Sequence, residues 1–325
     1  MEQVKSGSCL PDIQINIWQA ARPDAGEDCR CYCFSRDAGL VGVFDGCGGA
    51  GSKRPSCYSG KTEAYMASRL CAGAFYDSFF SSFPNQGSCA AQLQNYLKHA
   101  IRQCADTLKT YAPKDESLIK GSMIRSLPTT AAVMIAQPDT EGYLLTTALW
   151  VGDSRCFLLT SKGLAQLSVD DTTVQDPMEN SYEDGVLTNN ISADKEINPH
   201  LKQVRCKPPF LMLTATDGCF GYFSTPMEFE GALLETMLAA STPDEWEQTL
   251  QQTLGSVAGD DYTLSLAGYG FETYADLKRC FGKRMEHLQE NYLSVVRSLP
   301  IADRDSRRAL WNTYRETYLR CMKEQ

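Results

Sequence analysis

Histidine is scarce in this chain: among 325 residues only His99, His200 and His287 are present, and none stands close to another or to a candidate nucleophile. That argues against a Ser-His-Asp relay, an HExxH site and His-rich metal chemistry. Long apolar runs are missing as well. No window approaches eighteen consecutive apolar residues, and the N-terminal MEQVKSGSCLPD has neither a basic start nor an apolar stretch. The protein is therefore expected to be cytoplasmic, with no membrane partner. CxxC pairs are absent although there are 14 cysteines, so a zinc site or a redox dithiol is not indicated. In a chain without a secretion signal the cysteines read as free thiols, with Cys29, Cys31 and Cys33 alternating on one strand face as small hydrophobes. An excess of positive charge is missing too, since the net charge is −9, which argues against a nucleic-acid surface.

What is present describes a globular chain, 43% apolar and 22% charged, long enough for one large domain or a domain with an extension. Its charge is uneven. Residues 271–325 carry 11 Lys and Arg against 8 Asp and Glu, a net of +3 that leaves −12 on residues 1–270. We expect a catalytic domain over 1–270 and a helical extension over 271–325.

Periodicity assigns the elements. Alternating apolar residues predict strands over Asp12–Trp18 and Arg30–Ser35, and an apolar run predicts a buried strand over Leu40–Phe44, turned from its predecessor at Asp37-Ala38-Gly39. That hairpin can bring Glu27-Asp28 close to Asp45. Helical spacing follows over Gly60–Phe80 and Ser88–Tyr111, and strands return at Thr130–Ala136, Tyr143–Val151, Cys156–Thr160 and Leu164–Leu167, read as an antiparallel meander. Ser168–Arg205 is polar with no sustained period and is expected to be a flap or binding loop. Pro209–Thr216 and Tyr262–Tyr269 are strands. Between them, Thr225-Pro226-Met227-Glu228 and Thr242-Pro243-Asp244-Glu245 each fit a capping box that opens a helix. Two long helices separated near Pro300 end the chain, their aromatic stripes read as faces packed on a core.

Short strands thus deliver carboxylates at five places: Glu27-Asp28, Asp45, Asp153, Asp217 and Asp260-Asp261. Asp45 enters Asp45-Gly46-Cys47-Gly48-Gly49, where glycines leave room for a ligand against the backbone. Mg²⁺ and Mn²⁺ choose oxygen ligands and keep several waters, so a few convergent carboxylates are enough to bind them. Two such ions about 3.5 to 4 Å apart can activate a water and hold a phosphoryl oxygen in line.

These residues, from about Ile13 to Tyr269, resemble the metal-dependent protein serine/threonine phosphatases of the type 2C class. Arg22 with Glu27-Asp28 looks like the opening Arg…Glu-Asp motif, and Val43-Phe44-Asp45-Gly46-Cys47-Gly48-Gly49 like the Asp-Gly-His-Gly-Gly motif. Pro128-Thr129-Thr130-Ala131, Val151-Gly152-Asp153-Ser154-Arg155, Leu213 to Gly218 and Asp260-Asp261-Tyr262-Thr263 follow in the family's order. The resemblance implies an α+β fold, a four-layer α-β-β-α sandwich of two antiparallel sheets with the C-terminal helical hairpin added. It implies hydrolysis of phosphoserine and phosphothreonine in proteins by a water bridging two Mn²⁺ or Mg²⁺ ions, with a phosphoprotein substrate and a cognate serine/threonine kinase as partners. Asp45 would bridge both ions with the Gly46 carbonyl as a further ligand. Asp217 and Asp260 would hold one ion, Glu27 or Asp28 the waters of the other, and Asp153 a third, weaker ion. Arg22 would bind the substrate phosphate, and the 168–205 segment would be the flap that helps set substrate choice.

The chain departs from the family at four points. Cys47 occupies the place of the histidine taken to protonate the leaving alkoxide, and a thiol with a reference pKa about 2 units higher is a poorer acid. Arg22 lies one residue further from Glu27-Asp28, Gly221 stands where many members carry another aspartate, and Asp261 replaces an asparagine. A pseudophosphatase that binds or regulates without turnover is the alternative. A cysteine nucleophile would need an arginine closely following Cys47, whereas Arg54 stands seven residues away.

Overall fold

The computed structural model describes residues 9–83, 90–113, 125–182 and 185–322. Outside them lie residues 1–8, the predicted start of the second helix at Ser88, and Glu183 and Asp184 of the long polar segment. Ten strands occur among the described residues: β1 (Ile13–Gln19), β2 (Cys29–Phe34), β3 (Gly39–Phe44), β4 (Ala131–Pro138), β5 (Leu144–Val151), β6 (Arg155–Thr160), β7 (Gly163–Gln166), β8 (His200–Cys206), β9 (Phe210–Ala215) and β10 (Tyr262–Tyr269). They form two five-stranded sheets, ordered β1-β10-β9-β6-β7 and β2-β3-β4-β5-β8, with every pairing antiparallel. The helices are α1 (Glu63–Ser82), α2 (Ala90–Tyr111), α3 (Asp217–Phe220), α4 (Pro226–Ala239), α5 (Pro243–Gly255), α6 (Tyr274–Leu288), α7 (Ser294–Val296) and α8 (Arg304–Tyr318).

The alternation of side chains along each strand sorts the residues into layers. On β4, Ala131, Val133 and Ile135 face α1 and α2, whereas Ala132, Met134 and Ala136 face the other sheet. On β9, Leu211 and Leu213 face α4 and α5 while Phe210 and Met212 fill the space between the sheets. The result is the α-β-β-α sandwich. Cys31 and Cys33 are buried beneath α1 and α2, and the 13 described cysteines are all free thiols. No helix among the described residues is long and apolar enough to cross a membrane.

Three sequence expectations are corrected. The meander is broken after β5: Val151-Gly152-Asp153-Ser154 carries the chain from one sheet to the other, with Gly152 at φ +97°, a conformation that L side chains rarely adopt. The polar 168–205 segment ends in a strand, β8, which pairs with β5 from Leu144↔Cys206 to Trp150↔His200. It is an edge strand with no residue fully buried, so it lacks the apolar face that marks the other strands. The capping differs too. At α4 the Thr225 side chain caps no backbone N–H and instead donates to Glu228, while α5 keeps half of the box, with Thr242 accepting from the Glu245 N–H. A complete box occurs at Thr273 and Asp276, which opens α6.

Beyond Gly270 the helices pack against the β1-β10-β9-β6-β7 sheet. Leu277, Phe281, Leu288, Trp311, Tyr314 and Tyr318 are buried in the same core as Ile15, Phe157 and Leu213. A buried ion pair ties three helices together: Glu230 on α4 accepts from Arg284 Nε at 2.7 Å and Nη2 at 2.8 Å on α6, and from the Tyr314 hydroxyl on α8.

Candidate metal centre

The carboxylates meet at one edge of the sandwich because strands of both sheets end there. The β2–β3 register sets Cys29 opposite Phe44, which puts Asp28 and Asp45 beside one another at the ends of neighbouring strands. The Asp45 carbonyl accepts from Thr130 N at 2.8 Å and Thr129 Oγ1 at 2.7 Å, and Cys47 N donates to Pro128 O at 3.1 Å. The turn is thereby pinned to the entry of β4. From the other sheet, Asp217 starts α3 directly after β9, and Thr216 Oγ1 donates to Asp28 Oδ2 at 2.8 Å across the seam between the sheets. Asp153 arrives from the crossing at Gly152, with Thr130 and Ser154 hydroxyls hydrogen-bonded beside it at 2.7 Å.

The electrostatics bear out the convergence. Burial pushes the Asp45 carboxyl well above the usual range, with Asp28, Asp217, Asp153 and Asp260 adding to the rise. Asp28 is pushed up to about 7 by burial, with Asp217 adding and the Thr263 and Thr216 hydrogen bonds opposing. Asp153 is raised to about 8 by burial, then by Asp217 and Asp170, and Asp217 to about 6 by burial and Asp260. Carboxylates that burden one another in this way would be relieved by a cation. Asp153 Oδ1 is buried without a hydrogen-bond partner, a further sign of an oxygen set awaiting charge. Among the described residues, no three Asp, Glu, His or Cys side chains are grouped to hold one ion by themselves. The donor set nonetheless fits Mg²⁺ or Mn²⁺, which are held by one or two carboxylates and retain waters.

Glu27 and Arg22 lie to one side. Glu27 is half-buried, accepts from the Thr62 hydroxyl and is raised chiefly by burial, with Asp261 and Asp260 adding to the rise while Arg54 and the Thr62 bond oppose it. A Cβ at Gly48 would come within 2.1 Å of Glu27 Oε2, so glycine is what admits this carboxylate under the turn. Arg22 is exposed on the loop before it. That loop is held by a residue whose role the sequence did not disclose: Asp261 accepts from Ala21 N at 2.7 Å and Glu27 N at 2.6 Å. Asp260 itself is exposed at the rim. Burial, with Asp45, Asp153 and Asp217 adding, pushes the Cys47 thiol up while Lys195 opposes. That direction disfavours the thiolate on which nucleophilic attack and oxidation depend.

These shifts predict a pH dependence. The native state holds protons on Asp217, Asp28 and Asp153 up to about 6, 7 and 8, whereas the unfolded chain releases them near the usual 3.8. Because the native state then binds more protons than the unfolded one, stability of chelator-treated protein should fall as pH rises from about 4 to about 8. Thermal melts across that interval should show the decline, and added Mn²⁺ should offset it most at the alkaline end, where the carboxylates are ionised.

No curated protein matches the sequence. The fold does have solved counterparts. Staphylococcus aureus serine/threonine phosphatase Stp1 aligns at 19% identity with a TM-score of 0.59, covering 81% of this chain and 97% of that one. The PPM Ser-Thr phosphatase MsPP of Mycobacterium smegmatis, in complex with cacodylate, aligns at 13% identity and TM-score 0.55, covering 80% and 100%. The Mycobacterium tuberculosis phosphatase PstP/Ppp aligns at 18% and 0.54, covering 79% and 98%. The family model for protein phosphatase 2C matches residues 26–255, a span that contains Glu27, Asp28, Asp45, Asp153 and Asp217. On that match the chain belongs to the protein phosphatase 2C family of serine/threonine phosphatases.

Proposed function

We propose that the protein hydrolyses phosphoserine and phosphothreonine in other proteins, with Mn²⁺ or Mg²⁺ as cofactor. The observation that carries this reading is the meeting of Asp28, Asp45, Asp153 and Asp217, from both sheets, at one edge of a protein phosphatase 2C fold. Asp45 would serve both ions with the Gly46 carbonyl as a further ligand, Asp217 and Asp260 would hold one of them, and Glu27 or Asp28 would accept from waters of the other. Asp153 would serve a third. When bound, the ions supply charge neutralisation and an activated water for an in-line displacement. The chain's own residues do the rest. Arg22, exposed at the rim, is available to the substrate phosphate, and Asp261 holds the loop that carries it. Cys47 stands where the family's histidine would be, and a thiol donates to the leaving alkoxide only as a weak acid. The substrate is a phosphoprotein, and a cognate serine/threonine kinase would supply it.

Chelator-stripped protein should hydrolyse a phosphothreonine peptide once Mn²⁺ or Mg²⁺ is titrated back. Cys47→His should raise kcat about tenfold on that peptide and little on an aryl phosphate, whose leaving group needs no acid. Cys47 in the histidine's place is also the observation that favours the alternative, a pseudophosphatase that binds without turnover. Tight ion binding with no turnover, even in Cys47→His, would select that alternative.

A further inference from the structure

The segment between β7 and β8 is fastened to the C-terminal helix. On α8, Arg304, Arg308, Trp311 and Arg315 recur at spacings of four, three and four residues and so share one face. That face meets the flap. Arg308 Nη1 donates to Asp176 Oδ1 at 3.3 Å and to Glu179, Trp311 Nε1 donates to Asp176 Oδ2 at 3.2 Å, and Arg315 Nη1 lies 4.0 Å from the same oxygen. The Arg304 guanidinium sits 4.7 Å over the Tyr182 ring. Asp176 in turn shapes the flap itself, since its Oδ1 accepts from Met178 N at 3.0 Å at the entry to the Glu179–Ser181 turn. Met178 is buried in the core that also contains Trp311 and Tyr318.

The fastened segment walls a cavity of about 630 Å³ that opens from the carboxylate centre. Its lining brings together Asp153 and Asp217 of the centre, Thr172, Asn180 and Tyr182 of the flap, and Ile301 from the tip between α7 and α8. Ile301 is 75% exposed.

We propose that the C-terminal extension is part of the substrate site: α8 holds the flap through Arg308, Trp311 and Arg315 as positioning residues, so that the cavity beside the centre keeps the shape that receives the peptide flanking the phosphorylated residue. The extension lies outside residues 26–255, the stretch matched by the family model. The proposal rests on the phosphatase reading for its substrate, and its mechanical half is independent of it.

The test is Arg308→Ala/Arg315→Ala in the full chain, both positions being partly exposed and removed from the core contacts of α8. Hydrogen exchange should quicken over residues 172–182 relative to the sheets. KM for a phosphothreonine peptide should rise about three- to tenfold with little change in kcat, and turnover of an aryl phosphate should fall far less. Unchanged exchange over 172–182 would overturn the clamp. Faster exchange with equal effects on both substrates would overturn its part in peptide binding. If the unaltered protein hydrolyses neither substrate with Mn²⁺ or Mg²⁺, the phosphatase reading fails, and the exchange measurement decides the clamp alone.

Discussion

Asp45→Asn should lower turnover of a phosphothreonine peptide on the order of 10³-fold and, in the same protein without ions, raise the melting temperature. The two effects have opposite signs for one reason. Asp45 is surrounded by Asp28, Asp217, Asp153 and Asp260, and burial together with their repulsion holds its carboxyl well above the usual range, so at neutral pH the folded state must take up a proton that the unfolded chain does not need. An amide of the same shape relieves that repulsion when no cation is present. It also removes the carboxylate that the proposed centre shares between two ions. Calorimetric titration with Mn²⁺ should therefore show weakened binding alongside the higher Tm. A loss of activity accompanied by a lower Tm would mean instead that Asp45 supports the fold, and the proposed centre would have to be placed elsewhere.

Glu230→Ala should destabilise the protein by about 3 to 5 kcal/mol. Glu230 is fully buried, and it is the carboxylate to which Arg284 on α6 and Tyr314 on α8 both donate. Truncation strands the Arg284 guanidinium, itself 6% exposed, with an uncompensated charge. Domains have about 5 to 15 kcal/mol of stability in total, so the loss is a large share. Urea unfolding should report it as a lower midpoint at unchanged slope. Replacing both partners together, Glu230→Leu with Arg284→Met, should recover most of the loss, because no lone charge is then buried. If the single change costs under about 1 kcal/mol, the three helices are held by apolar packing alone.

Three acids of the proposed centre stood out in the chain because each follows a strand whose apolar pattern is plain. Val41-Gly42-Val43-Phe44 leads to Asp45, Leu211 to Ala215 leads towards Asp217, and Ala148 to Val151 leads towards Asp153. What bound these stretches to the rest was not readable. Asp261 acts on backbone N–H groups 240 and 234 residues away, and a backbone donor leaves no mark in sequence. The flap clamp escaped for a similar reason: Asp176 and Trp311 are 135 residues apart, and arginines on a helix read as a solvated face. The change of charge near Gly270 is a property of the surface. It says nothing of Phe281 or Tyr314, which share a core with β1 and β9. The strand β8 was hidden by its polarity, His-Leu-Lys-Gln-Val-Arg-Cys having no buried face to set a period.

That same polarity has a consequence for how copies of the protein meet. Among the described residues β8 is the outermost strand of its sheet. Such an edge is a template on which another chain can add a strand. His200 and Arg205 stand exposed along it, with Lys202 half-buried between them, and Arg205 is anchored at 2.6 Å to Asp139 and 2.7 Å to Glu141 while it covers the Tyr143 ring. The charged side chains that disguise β8 in the sequence are of the kind that makes an edge strand a poor template for another chain.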